Sequence, residues 1–166
     1  MLVGAIVLAA CAEPPTREIG QAQGALDAAR AGGAEAYARP QFQAADAALK
    51  KAHAAVAERD YRQALGYALD AREQARTAAR EASAARARAA TDVAHAIQTT
   101  ARGIETARAR LTGPQRARLG PALDALAAQL QEARSAVAAG DYARAAERTR
   151  VIDERLAALA AELSRR

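Results

Sequence analysis

The sequence predicts an all-α protein, an elongated antiparallel helical bundle of coiled-coil-like hairpins with an internal duplication. Composition is the first reason. About a third of the 166 residues are alanine, with one Phe, four Tyr and no Trp. Alanine is the strongest helix former, and the Arg, Glu, Gln and Leu that fill most other positions follow closely. Periodicity is the second, because apolar residues recur at alternating steps of three and four, the spacing of one helical stripe. The third is punctuation, since glycine, proline and Asp-Tyr pairs fall between the stripes.

Taken in order, the helical pattern opens after Thr16 and is first interrupted at Gly32-Gly33. Pro40 then stands where a first-turn proline is tolerated, ahead of the stripe Phe42, Ala45, Leu49, Ala52 and Val56. Arg59-Asp60-Tyr61 predicts a tight turn, with Asp60 as N-cap and Gln63 three residues on. Tyr61, Ala64, Ala68, Ala71, Ala75, Ala78, Ala82, Ala85 and Ala89 form a second stripe, almost wholly alanine. Between Asp60 and Leu111 no residue firmly ends a helix, so one continuous helix of roughly 80 Å is expected, with a break near Thr99-Thr100 as the alternative. Thr112-Gly113-Pro114 supplies the next interruption, and Pro121 is read as a second first-turn proline. Leu123, Leu126, Leu130, Ala133 and Val137 make the third stripe. Gly140-Asp141-Tyr142 predicts another turn, with Gly140 closing one helix and Asp141 capping the next. The last stripe is Tyr142, Ala145, Thr149, Ile152, Leu156, Leu159 and Leu163. Both tyrosines are expected to pack under their turns. Heptad seams with charged outer positions predict helices lying side by side, close together where alanine lines the seam.

The two Asp-Tyr turns are 81 residues apart, and the same offset carries Pro40 onto Pro121, Phe42 onto Leu123, Leu49 onto Leu130, Ala52 onto Ala133 and Val56 onto Val137. Such a match predicts two copies of one unit. The expected organisation is a leader over 1–10, a tether over 11–16, and helical units over 17–97 and 98–166.

The leader and tether follow from Leu8-Ala9-Ala10-Cys11, which ends the apolar run Leu2 to Ala10 and holds the single cysteine. Leucine, two small residues and cysteine at the end of such a run resemble a bacterial lipoprotein cleavage site. That resemblance implies removal of residues 1–10 and lipidation of Cys11. Met1 is followed directly by Leu2, without the Lys or Arg that ordinarily opens a secretion signal. The run is about half of the ~20 residues that cross a bilayer. Ala12 after the cysteine, by the same resemblance, implies the periplasmic face of the outer membrane.

From Ile19 to about Ala84 the chain reads Ala-Arg-Ala, Gly-Ala-Glu-Ala-Tyr-Ala-Arg-Pro, Ala-Leu-Lys-Lys-Ala, Asp-Tyr and Ala-Leu-Asp-Ala-Arg. This stretch resembles the alanine-rich helical domain of Gram-negative periplasmic lipoproteins, family 4398 among the domains of unknown function. The resemblance implies an envelope location and transfers no site residue except the lipidated Cys11.

Charge is the remaining signal. The formal balance is +5, and Arg72 to Arg118 holds ten arginines against Glu73, Glu81, Asp92 and Glu105. Arg72, Arg76 and Arg80 step by four along one face, and Arg86, Arg88, Arg102, Arg108 and Arg110 follow with few acids near them. Such a face suits lipopolysaccharide phosphates, phospholipid head groups or peptidoglycan carboxylates. Nucleic acid is an unfavoured partner, because stacking aromatics and a binding motif are missing. The arginines would serve it only in a cytosolic protein. A lone cysteine allows no internal disulfide, and His53 and His95 have no ligand-spaced neighbours for a metal. No nucleophile, base and orienting acid fall together, so the reading is non-enzymatic and without cofactor. The expected function is a lipid-anchored scaffold, spacer or adaptor, which binds a protein partner or another copy through its seams. The alternative is an anion binder working through the arginine face.

Overall fold

A computed structural model describes residues 13–164, and within them the chain is all-helical, without a strand. Cys11, with the leader and Ala12 of the tether, lies outside the described residues. Six helices follow in order: α1 (Thr16–Ala31), α2 (Ala34–Tyr37), α3 (Arg39–Ala57), α4 (Tyr61–Arg110), α5 (Gly113–Ala138) and α6 (Tyr142–Ser164). The helix α4 is continuous over 50 residues and runs through Thr99-Thr100 without a break. Packing divides the chain into two compact units, the division falling between Ala85 and Arg86 inside α4.

In the first unit, α1, α2, α3 and the leading half of α4 close over one apolar cluster. Gly33, at φ 87°, takes the left-handed conformation that separates α1 from α2. Pro40 occupies the first turn of α3, where its missing N–H leaves no helical bond unmade. The core is mostly alanine: Ala22 and Ala29 from α1, Ala45, Ala48, Ala52 and Ala55 from α3, and Ala64, Ala68, Ala71, Ala75, Ala78 and Ala82 from α4 are all buried. Only Leu26, Phe42 and Leu49 contribute large buried side chains to it. A buried alanine removes far less apolar area than a leucine side chain, whose burial is worth ~1.5–3 kcal/mol, so the core of this unit is the sum of many small contributions. Arg30 stacks over Phe42 and Lys51 over Tyr67, at 5.2 and 5.7 Å, which covers two of the few rings with long cationic side chains.

In the second unit, the trailing half of α4 packs with α5 and α6 around Val93, Ile97, Ile104, Leu111, Leu119, Leu123, Leu126, Leu130 and Ile152. The alanine stripe of α4 therefore continues as Val93, Ile97, Thr100, Ile104, Ala107 and Leu111, a seam at the same three-and-four spacing that the sequence reading stopped at Ala89. Among the described residues, Thr100 and Thr149 are the two buried polar side chains. Thr149 Oγ1 donates back to the Ala145 carbonyl at 2.8 Å, and Thr100 Oγ1 lies 2.6 Å from Asp153 Oδ1 on α6. Arg148 with Glu132, Arg155 with Gln129, and Arg118 with Glu162 pair in reverse order along α6 and α5, so these two helices run in opposite directions.

The two turns agree bond for bond. Before α4, Asp60 N donates to Ala55 O at 2.9 Å, Arg59 N to Val56 O at 3.0 Å, and Asp60 Oδ1 accepts from Gln63 N at 2.9 Å. Before α6, Asp141 N donates to Ala136 O at 2.9 Å, Gly140 N to Val137 O at 2.9 Å, and Asp141 Oδ1 accepts from Arg144 N at 3.0 Å. Both are left-handed helix ends that satisfy orphan carbonyls. Gly140 takes φ 76° freely, whereas Arg59 reaches φ 60° with a side chain and is the one described non-glycine residue at positive φ. Tyr142 packs against the second cluster under its turn, and Tyr61 is half-buried.

One element differs from expectation. Pro121 is not a first-turn proline: α5 begins eight residues earlier, at Gly113, and Pro121 lies inside it. The start is set by Thr112, whose N and Oγ1 lie 3.0 and 2.9 Å from Gln115 Oε1, with Pro114 in the first turn. A capping box and an early proline fix the helix start upstream. Pro121 is then tolerated because it and Ala117, whose carbonyl it leaves unbonded, are both exposed to water.

Candidate functional site

The arginines of α4 divide into groups with different surroundings. In the first unit Arg72, Arg76 and Arg80 step by four and stay within about 80° of one another on the helix. Arg72 is half-buried and donates to Gln21 of α1 at 2.6 Å. Arg80 reaches Glu73 at 3.3 Å and Thr77 at 2.9 Å. Arg76 is exposed and has no ion pair.

In the second unit Arg86 and Arg108 turn toward the neighbouring helices. Arg86 stacks over Tyr142 at 5.9 Å. Arg108 bridges Asp124 of α5 at 2.5 Å and Glu105 at 2.7 Å. The hydrogen bond to Asp124, with the Glu105 charge beside it, raises the affinity of Arg108 for its proton. Arg88, Arg102 and Arg110 lie within about 80° of one another on α4, all exposed and, among the described residues, without an acidic partner. Arg102 donates to Thr99 Oγ1 at 3.4 Å. Thus five of the eight arginines, Arg76, Arg86, Arg88, Arg102 and Arg110, are exposed and free of acids among the described residues, Arg86 lying over the Tyr142 ring, while Arg72 is half-buried against Gln21.

A groove in the second unit was not legible from the arginine spacing. Gly103, Thr106, Ala107 and Arg110 of α4, Gln115 of α5, and Asp153, Leu156, Ala157 and Ala160 of α6 enclose about 570 Å³. Glycine at 103 makes this possible: a Cβ there would stand 2.8 Å from Leu156 Cδ2. The glycine lets Leu156 lie across α4, and the small residues Ala107, Ala157 and Ala160 leave the floor shallow and apolar. A sequence signal existed in Gly103 facing a run of small residues on α6, but only the register of α4 against α6 brings them together.

His95 is exposed on α4, and His53 borders Ile19 and Val56 between α1 and α3. Ser135 Oγ is bonded to the Gln131 carbonyl at 3.1 Å. No group of three or more His, Cys, Asp or Glu stands within metal-binding reach among the described residues, and no described helix is long and apolar enough to cross a membrane. No family model, curated protein or solved structure matches the chain.

Proposed function

We propose that this protein is a lipoprotein held by Cys11 at the periplasmic face of the outer membrane, where it serves as a non-catalytic scaffold, spacer or adaptor of the cell envelope. The observation that carries the proposal is Leu8-Ala9-Ala10-Cys11 at the end of an apolar run, followed by a chain whose described residues are all helical. The likeness to the alanine-rich periplasmic lipoproteins belongs to the same proposal. So does the duplication: two copies of a helix, helix, turn and helix unit, sharing α4 and forming an elongated bundle of hairpins. Its support is the agreement of the two turns in every backbone bond at an offset of 81 residues. Helices with small residues on their seams present stiff, shallow surfaces suited to a protein partner or a second copy.

A second reading is binding of an anionic envelope polymer, favoured by exposed Arg76, Arg88, Arg102 and Arg110 without acidic partners. Salt decides between the two, because contacts of exposed arginines with anions are screened and apolar self-association is not. The test of the anchor is expression of the full reading frame, with and without Cys11→Ala, in a Gram-negative host. Loss of ten residues with gain of acyl mass, recovery in the outer membrane and loss of both with Cys11→Ala are the expected results. An unprocessed cytosolic product overturns the proposal and makes the arginines, with nucleic acid as their target, the reading to pursue.

A further inference from the structure

We propose that the groove between α4 and α6 binds a single-chain amphiphile with an anionic head group, the alkyl chain lying on Gly103, Ala107, Leu156 and Ala160 and the head group at Arg110. Along α4 the groove runs from Gly103 to Arg110, and along α6 from Asp153 to Ala160. Seven residue-to-residue rises on each helix make a trough roughly 10 Å long, the length of an alkyl chain of about eight to ten carbons. The enclosed volume of about 570 Å³ lies within the range of small-molecule sites, which pair apolar walls with a few fixed polar groups.

The two ends carry opposite charge, and this fixes the direction of the ligand. Asp153 stands at one end, its carboxylate 2.6 Å from Thr100 Oγ1, and repels an anion. Arg110 stands at the other end, exposed and with no ion pair, beside Gln115. Arg108, two residues away in sequence, is by contrast already bound to Asp124 and Glu105. An anionic head group therefore finds its free cation at Arg110 alone within this groove, and a guanidinium suits a carboxylate or a phosphate oxygen pair. Leu156 packs down onto Gly103, where a Cβ would stand 2.8 Å from its Cδ2, and its side chain forms part of the trough's apolar wall. This proposal rests on the second unit only and holds whether or not Cys11 carries a lipid.

The test uses the full chain with Cys11→Ser, titrated calorimetrically with decanoate and, separately, with uncharged decanol. Micromolar decanoate binding is expected. Arg110→Gln weakens decanoate roughly tenfold and leaves decanol unchanged, since only the charge-assisted contact is lost. Ala160→Phe fills the trough from an exposed position and removes binding of both, with helicity and melting temperature unchanged. The proposal is overturned if the folded protein takes up no decanoate, or if neither substitution alters its uptake. It is equally overturned if the protein self-associates, Ala160→Phe abolishes that association and decanoate does not bind, in which case a second copy is the occupant.

Discussion

The two units make the same turn with different cores. At the 81-residue offset the buried α4 residues Ala71 and Ala75 correspond to Ile152 and Leu156 of α6, and Ala45 of α3 corresponds to Leu126 of α5. Yet the turns before α4 and α6 make the same backbone bonds to within about two tenths of an ångström. The comparison teaches that the path of the chain at a helix end is set by local hydrogen bonding and one capping aspartate. The size of the seam residues sets instead how closely the helices approach and how much apolar area they remove from water.

Exchanging the seam residues is the most severe way to break this comparison. Ile152→Ala leaves a cavity where the side chain is 1% exposed, and should cost about 2–5 kcal/mol in urea denaturation of the intact chain. The reverse change, Ala71→Ile, forces a large side chain into a position that is 1% exposed as alanine and should cost about 1–3 kcal/mol. Equal tolerance of both substitutions would mean that the two seams are not packed differently.

The turns sharpen the other half of the comparison. Asp60→Ala and Asp141→Ala should each cost about 1 kcal/mol, and by similar amounts, because each removes one carboxylate acceptor from an N-terminal backbone N–H. A clear difference between them in thermal melts would show that the shared bonds carry unequal weight. Position 59 against position 140 gives a smaller contrast. Gly140→Ala should destabilise by about 1 kcal/mol by placing a Cβ at positive φ, while Arg59→Gly should stabilise by a few tenths as strain relief slightly outweighs added chain entropy.

The smallest effect separates surface charge from core. Glu147 on α6 is held below the usual carboxylate range by its hydrogen bonds to Arg150, and the Arg150 charge adds to this. A depressed folded pKa favours the folded state above the unfolded carboxylate value, and the benefit disappears as pH falls through the folded value. Wild type should therefore lose slightly more melting temperature than Glu147→Gln between neutral pH and pH 3. Identical pH profiles would show that the pair contributes nothing, the common result for exposed ion pairs.

The helical class, the stripes on α3, α5 and α6, and both Asp-Tyr turns were legible because they depend on spacing and capping within a few residues. Leu123, Leu126, Leu130 and Ala133 are all buried as their period required. The α5 start was missed although Thr112 and Gln115 carry a capping-box pattern, because Pro121 offered a competing signal at the offset predicted by the repeat. The Val93 to Leu111 seam was passed over where the alanines gave way to larger residues. Even spacing of arginine in sequence likewise carried no information on which guanidinium groups would meet an acid, since Arg108 and Arg110 are neighbours with opposite circumstances.

By itself the sequence determined the helices, their seams and their turns, because helix propensity, three-and-four periodicity and capping act over one or two turns of chain. Only the tertiary structure decided that Asp153 would stand beside Thr100, that Leu156 would lie over Gly103, and that a groove would open there with Arg110 at its end. Those outcomes depend on the axial register between α4 and α6, which is fixed by interlocking of side chains about fifty positions apart in sequence.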